Sequence, residues 1–137
     1  MNIRKATLSD LDSCITLLKR KEFQFAHGGY PATNYLKGHL TDYFLVSYEA
    51  DEIVGCIVGE KLSRGVSMVW FLVVDDSFQG KGIGTSLLTA FEKLALADGG
   101  SSIVLYSPVS SPDSIAFYKK QGYNVGNTFV ECNKILQ

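Results

Sequence analysis

The run Met68 to Val74, "MVWFLVV", constrains the fold more than any other stretch of the chain. It is apolar on both alternating faces, with Met68, Trp70, Leu72 and Val74 on one and Val69, Phe71 and Val73 on the other. That pattern is expected of a strand buried from both sides, in the centre of a sheet. Directly after it, "Phe78-Gln79-Gly80-Lys81-Gly82-Ile83-Gly84-Thr85" places three glycines in five residues. Ile83, Leu87, Leu88, Phe91, Leu94 and Ala95 then recur at helical spacing up to Gly99-Gly100, which predicts a helix with a glycine stop. "SIVLYS" follows as another strand. Because it comes after strand and helix, it should lie parallel to the first, joined by a right-handed crossover.

The remaining segments fit around this unit. A short strand is expected around Asn2 to Ala6. Leu11, Ile15 and Leu18 predict a helix from about Ser9 to Lys21, with Thr7 or Ser9 able to cap it. Residues 22 to 40, broken by Gly28, Gly29 and Pro31 and rich in aromatic residues, read as a loop and one short helix. "YFLVSYE" and "IVGCIVGE", joined by a turn at Ala50-Asp51-Glu52, read as an antiparallel hairpin, and the group at Ser63-Arg64-Gly65 turns the chain into the apolar run. Ser111 with Pro112 opens a short helix that Gly122 closes. "YNVGNTFVECNKIL" is expected to supply one or two final strands. The order is that of an α/β fold with a sheet of mixed direction.

Composition narrows the chemistry. The 137 residues suit one domain spanning 1–137, large enough for a core without disulfide or metal. A formal charge of −1 sets up no field that would gather nucleic acid or an anionic membrane, so any anion must be held locally. The three cysteines, Cys14, Cys56 and Cys132, are widely spaced with no CxxC pair, which points away from a disulfide framework or zinc ribbon and toward packing thiols in a reducing compartment. No segment has the apolar character of a signal peptide or the length of a membrane span, and the expectation is a cytoplasmic protein.

The glycine turn therefore stands out as the local anion holder. A strand end feeding a helix N-terminus points unpaired N–H groups outward, and the helix dipole adds positive charge there. Glycines at 80, 82 and 84 remove the Cβ atoms that would keep a diphosphate away and allow the backbone to turn its amides inward. Several charge-assisted hydrogen bonds of roughly 1.5–3 kcal/mol each outweigh the helix propensity lost. The string is no Walker loop, since Lys81 precedes the second glycine. It is no dinucleotide fingerprint either, because its glycines are spaced by two.

"Gln79-Gly80-Lys81-Gly82-Ile83-Gly84" resembles instead the Gln/Arg-x-x-Gly-x-Gly/Ala acetyl-CoA loop of the GNAT superfamily of N-acetyltransferases. "Ser111-Pro112-Asp113-Ser114-Ile115-Ala116-Phe117-Tyr118-Lys119-Lys120-Gln121-Gly122-Tyr123" is similar to that family's Asn-x-x-Ala-x-x-Phe/Leu-Tyr-x-x-x-Gly-Phe/Tyr segment. Ser111 stands for the usual asparagine, Ser114 for alanine and Asp76 for a frequent proline. The resemblance implies a mixed central sheet with antiparallel N-terminal strands and a splayed parallel pair, flanked by helices. It further implies that acetyl-CoA is a cosubstrate held by Leu72, Val73 and Val74 along its pantetheine arm. Gln79, Gly80, Lys81, Gly82, Ile83, Gly84 and Thr85 would hold its diphosphate, with Ser111 and Ser114 also beside it, and no metal would take part.

Transfer to an amine then needs a base, a stabilised oxyanion and a donor to the leaving thiolate. Tyr118, on the helix face of Ser111 and Ser114, takes the donor role, and a backbone N–H near Val74 the oxyanion. Glu60, or Asp75 acting through water, offers a base. His27, His39, Tyr30 and Tyr35 either line the acceptor pocket or cover the sheet. The expected reaction is direct attack by a primary amine in a ternary complex. A CoA-binding sensor or interaction module without turnover, or an enzyme for longer acyl chains, are the competing readings. Tail strands exposed at an edge are compatible with a homodimer.

Overall fold

The structure, a computed structural model, describes residues 2–20 and 32–136. Contacts divide the chain into two compact units, Met1–Leu105 and Tyr106–Gln137.

The first unit is built on a five-stranded sheet in the order β1 (Asn2–Lys5), β2 (Phe44–Glu49), β3 (Glu52–Lys61), β4 (Val66–Val74), β5 (Ser102–Leu105). The first four strands run antiparallel to their neighbours, and β5 lies parallel to β4. The β2–β3 hairpin closes through Ala50 (φ 47) and Asp51 (φ 66), a left-handed pair whose twist suits a two-residue turn. Helices α1 (Leu11–Arg20) and α2 (Thr33–Lys37) cover one face, where Leu11, Cys14, Leu17, Leu18 and Leu36 close on Phe44, Val46, Cys56, Val58 and Val73. The expected helix from Ser9 to Lys21 starts as a 3-10 turn, Leu8–Asp10, before α1, and Lys21 lies outside the described residues. The bend between the two is held by Asp10, whose carboxylate accepts from the Thr7 backbone at 2.8 Å and from Arg4 at 2.7 and 2.9 Å.

The opposite face carries α3 (Ile83–Ala97), with Ile83, Leu87, Leu88, Phe91 and Ala95 buried. Gly55 and Gly59 on β3 let α3 approach the sheet closely: a Cβ on Gly55 would stand 3.2 Å from Ile83 and Leu87, and one on Gly59 only 2.4 Å from Phe91.

The expected burial of β4 on both faces, in the centre of the sheet, is corrected in two ways. The middle strand is β3, and β4 is its neighbour. The ladder also steps from Val58↔Phe71 to Gly59↔Val69, so Trp70 is an extra residue on β4. Such a bulge breaks the period of two. Phe71 and Val73 join the α1 face with Val58 and Cys56, Met68 pairs with Glu60, and Trp70 is left 40% exposed.

In the second unit α4 (Pro112–Lys120) is followed by Gly122 at φ 93, the left-handed stop that the sequence predicts. The expected tail strands are absent among the described residues, and 124–136 form no regular element. Phe129 and Val130 are adjacent, 76% and 87% exposed, and Gly126 and Asn127 interrupt the pattern, so no single face of this segment is apolar. Cys14 and Cys56 are buried packing thiols, whereas Cys132, expected to be one, is exposed in this tail.

Candidate active site

The chain leaves β4 through a tightly bonded turn. Asp75 N–H reaches back to Val54 at 2.8 Å, and its side chain accepts from Ser77 N–H at 2.9 Å, capping a 3-10 turn, Asp76–Phe78. Arg20, at the end of α1, pairs with the other Asp75 oxygen at 2.7 Å. The Ser77 amide, aided by Arg20, holds the Asp75 carboxyl below its usual range, and with both oxygens engaged this residue is committed to the turn. Leu17, Arg20, Val74, Asp75, Asp76 and Ser77 line a cleft of about 220 Å³ at this end of β4.

Beyond the turn Gln79 is extended, its Nε2 donating to Asp76 at 3.3 Å. Gly80 (φ +77) and Gly82 (φ +81) are both left-handed, and a Cβ built on either would have nothing within 4 Å. The glycines thus answer to backbone conformation and leave open space beside the main chain. Gly82 is the N-cap of α3 and no side chain caps that end. Gly84 does not share the positive φ; it lies in the first turn of α3 with Ile83 and Thr85. Lys81 is exposed, its Nζ 4.9 Å from the centroid of the Phe78 ring.

The main chain of Leu72, Val73 and Val74 runs into this turn. It pairs with Ile57, Cys56 and Gly55 of β3, while β4 pairs with β5 only from Val66↔Ser102 to Val69↔Leu105. Past the bulge, therefore, β5 no longer accompanies β4, which is the parting of the parallel pair that the sequence resemblance implies.

Glu60, near the end of β3, lies on the α2 side of the sheet. Trp70 Nε1 donates to Glu60 Oε1 at 2.8 Å. Tyr35 of α2 stands edge-on to Phe71 with centroids 6.3 Å apart, and His39 packs 4.8 Å from Tyr35. Burial, with the charge of Glu60, raises the Tyr35 phenol above its ordinary value. Of the four expected pocket residues, Tyr35 is thus beside the sheet within reach of the Glu60 charge and His39 packs on Tyr35; His27 and Tyr30 lie outside the described residues. Trp70 was not foreseen as a site residue. Its only signal in the sequence is that an amphipathic indole occupies a run of aliphatic and phenyl side chains, and the bulge that presents it leaves no mark in the apolar pattern.

In the second unit, Ser111 is the N-cap of α4 but its hydroxyl makes no capping bond; Pro112 at the first position does the work of starting the helix. Ser114 and Tyr118 are half-buried on the same helix face as Ser111. Tyr118 packs edge-on to Phe117 and Tyr123, at 5.2 and 5.8 Å, and burial pushes its phenol up to about 12. Phe117 and Tyr123 are partly buried. Among the described residues no three His, Cys, Asp or Glu side chains converge as metal ligands, and no helix is long and apolar enough to cross a membrane.

Comparison with known proteins gives this geometry its context. An acetyltransferase SG1711 from Sodalis glossinidius (strain morsitans) is 31% identical over 99 residues, 72% of this chain and 68% of its own length. YdhI of Bacillus subtilis (strain 168) is 32% identical over 88 residues, 64% of this chain, and the match spans about half, 53%, of that relative. The crystal structure of Ard1 from Thermoplasma volcanium superposes with a TM-score of 0.84 at 26% identity, covering 92% of this chain and 84% of that one. The sequence model of the Acetyltransferase (GNAT) family matches residues 11–123, through the sheet, the glycine turn and α4, and the chain belongs to that family.

Proposed function

We propose that this chain is an acetyl-CoA-dependent N-acetyltransferase that acetylates a primary amine by direct attack while both substrates are bound. The observation that carries the reading is the mouth of α3. Its N-terminus has no side-chain cap, and Gly80 and Gly82 are left-handed with clear space where their Cβ atoms would be. The backbone amides at a helix start without a side-chain cap suit a diphosphate. Gln79 to Thr85 would hold that group, and the main chain of Leu72 to Val74, unaccompanied by β5, would pair with the pantetheine amides as an added strand does. Ser111 and Ser114 complete the proposed cofactor set.

Acetyl-CoA, when bound, supplies a thioester carbonyl open to attack by an amine, with a thiolate as the group released. The chain's own residues manage protons. An alkylammonium must lose one before its nitrogen lone pair is available, and Glu60, whose Oε2 has no hydrogen-bond donor among the described residues, takes it directly or through a water. Tyr118 keeps its proton at every ordinary pH, because its phenol lies near 12. A phenol that weakly acidic gives its proton to a thiolate of conjugate pKa about 8.5 only uphill, so its part is to donate a hydrogen bond to the leaving sulfur while water completes the protonation. A single domain working in a reducing cytosol completes the reading.

Calorimetry with acetyl-CoA and CoA, followed by a panel of primary amines assayed for released thiol, tests it. Saturable binding and amine-dependent thiol release are expected. Binding with no release across the panel would overturn turnover in favour of a CoA-binding module, and no binding at all would remove the cradle.

A further inference from the structure

Glu60 is a partly buried carboxylate near the end of β3. Among the described residues it enters no ion pair, and its one hydrogen bond comes from Trp70 Nε1 to Oε1 at 2.8 Å. A carboxylate is stabilised by a charged partner, and among the described residues this one has none of its own. Its surroundings are aromatic instead. Trp70 is presented here by the extra residue in β4, Tyr35 comes from α2 close enough for its phenol to respond to the Glu60 charge, and Phe71 stands edge-on to Tyr35 at 6.3 Å. With 40% of its surface exposed, the indole is open to an incoming group.

We propose that Glu60, Trp70 and Tyr35 form the recognition point for an alkylammonium group of the acceptor, with Trp70 as the residue that positions Glu60 by fixing Oε1 and leaving Oε2 for the ligand. An ammonium brings donors that Oε2 can accept, and its positive charge is attracted by the faces of indole and phenol, while its alkyl stem packs on the rings. A carboxylate-bearing group would be repelled here, and a neutral alcohol would gain neither the charge pairing nor the cation–π attraction. The acceptor is therefore selected as a cationic aliphatic amine. This rests on the acetyltransferase reading for the use made of the site, but the subsite itself can be tested without turnover.

Trp70 is the only tryptophan in the chain, so its emission reports on this site alone. The full chain, without acetyl-CoA, is titrated with 1,4-diaminobutane and n-butylamine as hydrochlorides, with n-butanol and matched sodium chloride as controls. A saturable change in Trp70 emission is expected with the amines and not with the controls, and Glu60→Gln should abolish it. In turnover, Trp70→Phe should raise KM for cationic amines about tenfold with a smaller loss in kcat, as when binding common to ground and transition states is removed. Emission indifferent to the amines, or an equal response to butanol, or a response kept in Glu60→Gln, would overturn the subsite. A normal emission response with no acetyl transfer would remove the acetyltransferase reading and leave the subsite standing. Transfer with a flat emission response would do the reverse.

Discussion

Phe91 of α3 occupies the space that a side chain on Gly59 of β3 would need: a Cβ at Gly59 would stand 2.4 Å from Phe91 Cε2 and 2.3 Å from the Met68 carbonyl oxygen. The ring is fully buried and meets Tyr43 edge-on at 5.3 Å, so it has no room to retreat. Gly59→Ala should therefore destabilise the chain by about 1–3 kcal/mol, the usual cost of overpacking. The urea midpoint should fall with an unchanged slope. Phe91→Leu, destabilising alone, should restore part of the loss in the Gly59→Ala background, because the two changes share one space. Independent, additive losses would mean that the cost of Gly59→Ala comes from the Met68 carbonyl and not from Phe91.

Asp10 ties β1 to the start of α1. Its carboxylate is 5% exposed with Arg4 and the Thr7 backbone as partners, and the Arg4 hydrogen bonds, against the effect of burial, hold it below the usual carboxyl value of 3.8. A carboxyl whose folded pKa is depressed contributes stability that is complete above the unfolded pKa and is lost as pH falls through the folded one. The wild-type urea midpoint should accordingly decline on acidification below about pH 4. Asp10→Asn should lower stability near neutrality by about 1–2 kcal/mol, the scale of a lost cap and charge-assisted bond, and should show a shallower acid decline. Parallel pH profiles for the two proteins would assign the acid loss to other carboxyls.

The strand, turn and helix from Met68 to Ala97 were legible because three signals coincide there: an apolar run, clustered glycines and a 3.6-residue stripe. The β2–β3 hairpin was legible from its two apolar runs. What escaped prediction depends on partners distant in sequence. The bulge at Trp70 arises from pairing with β3, which no local pattern in β4 encodes, and it reassigns the faces of Met68, Phe71 and Val73. The commitment of Asp75 to Arg20 joins residues 55 positions apart. The tail failed in the opposite sense: Val125, Phe129 and Val130 look like strand residues by composition, yet strand formation requires a ladder, and composition does not supply one. The site followed the same division. The glycine turn was readable from residue type alone, while the Glu60–Trp70 pair needed both strands in register.

Tyr118 offers a test of chemistry separable from folding. Burial places its phenol near 12, so it remains protonated across any assay range in which the enzyme is stable. Tyr118→Phe removes one hydroxyl and keeps the ring that packs on Phe117 and Tyr123. If the hydroxyl supports the leaving sulfur, kcat should fall about 10- to 1,000-fold with acetyl-CoA affinity unchanged. The ratio of wild-type to variant rates should also be constant between about pH 7 and 9, since a phenol this weakly acidic does not titrate there. Wild-type turnover in the variant would leave Tyr118 a packing residue.

The glycine turn carries the most direct prediction. Gly82 sits at φ +81 as the N-cap of α3, with open space beside it. Gly82→Glu would fill that space and add a negative charge where a diphosphate is proposed to sit, so both sterics and like-charge repulsion oppose binding. Acetyl-CoA affinity should fall at least about 100-fold, which corresponds to roughly 2.7 kcal/mol. The strain of a side chain at positive φ costs about 1 kcal/mol of stability on its own, and Gly82→Ala measures that cost without the charge. Gly82→Ala should bind acetyl-CoA more weakly than wild type and more tightly than Gly82→Glu, with urea midpoints for the two variants lowered alike. Calorimetry that found Gly82→Glu as tight as wild type would place the diphosphate elsewhere, and the role assigned to residues 79–85 would go with it.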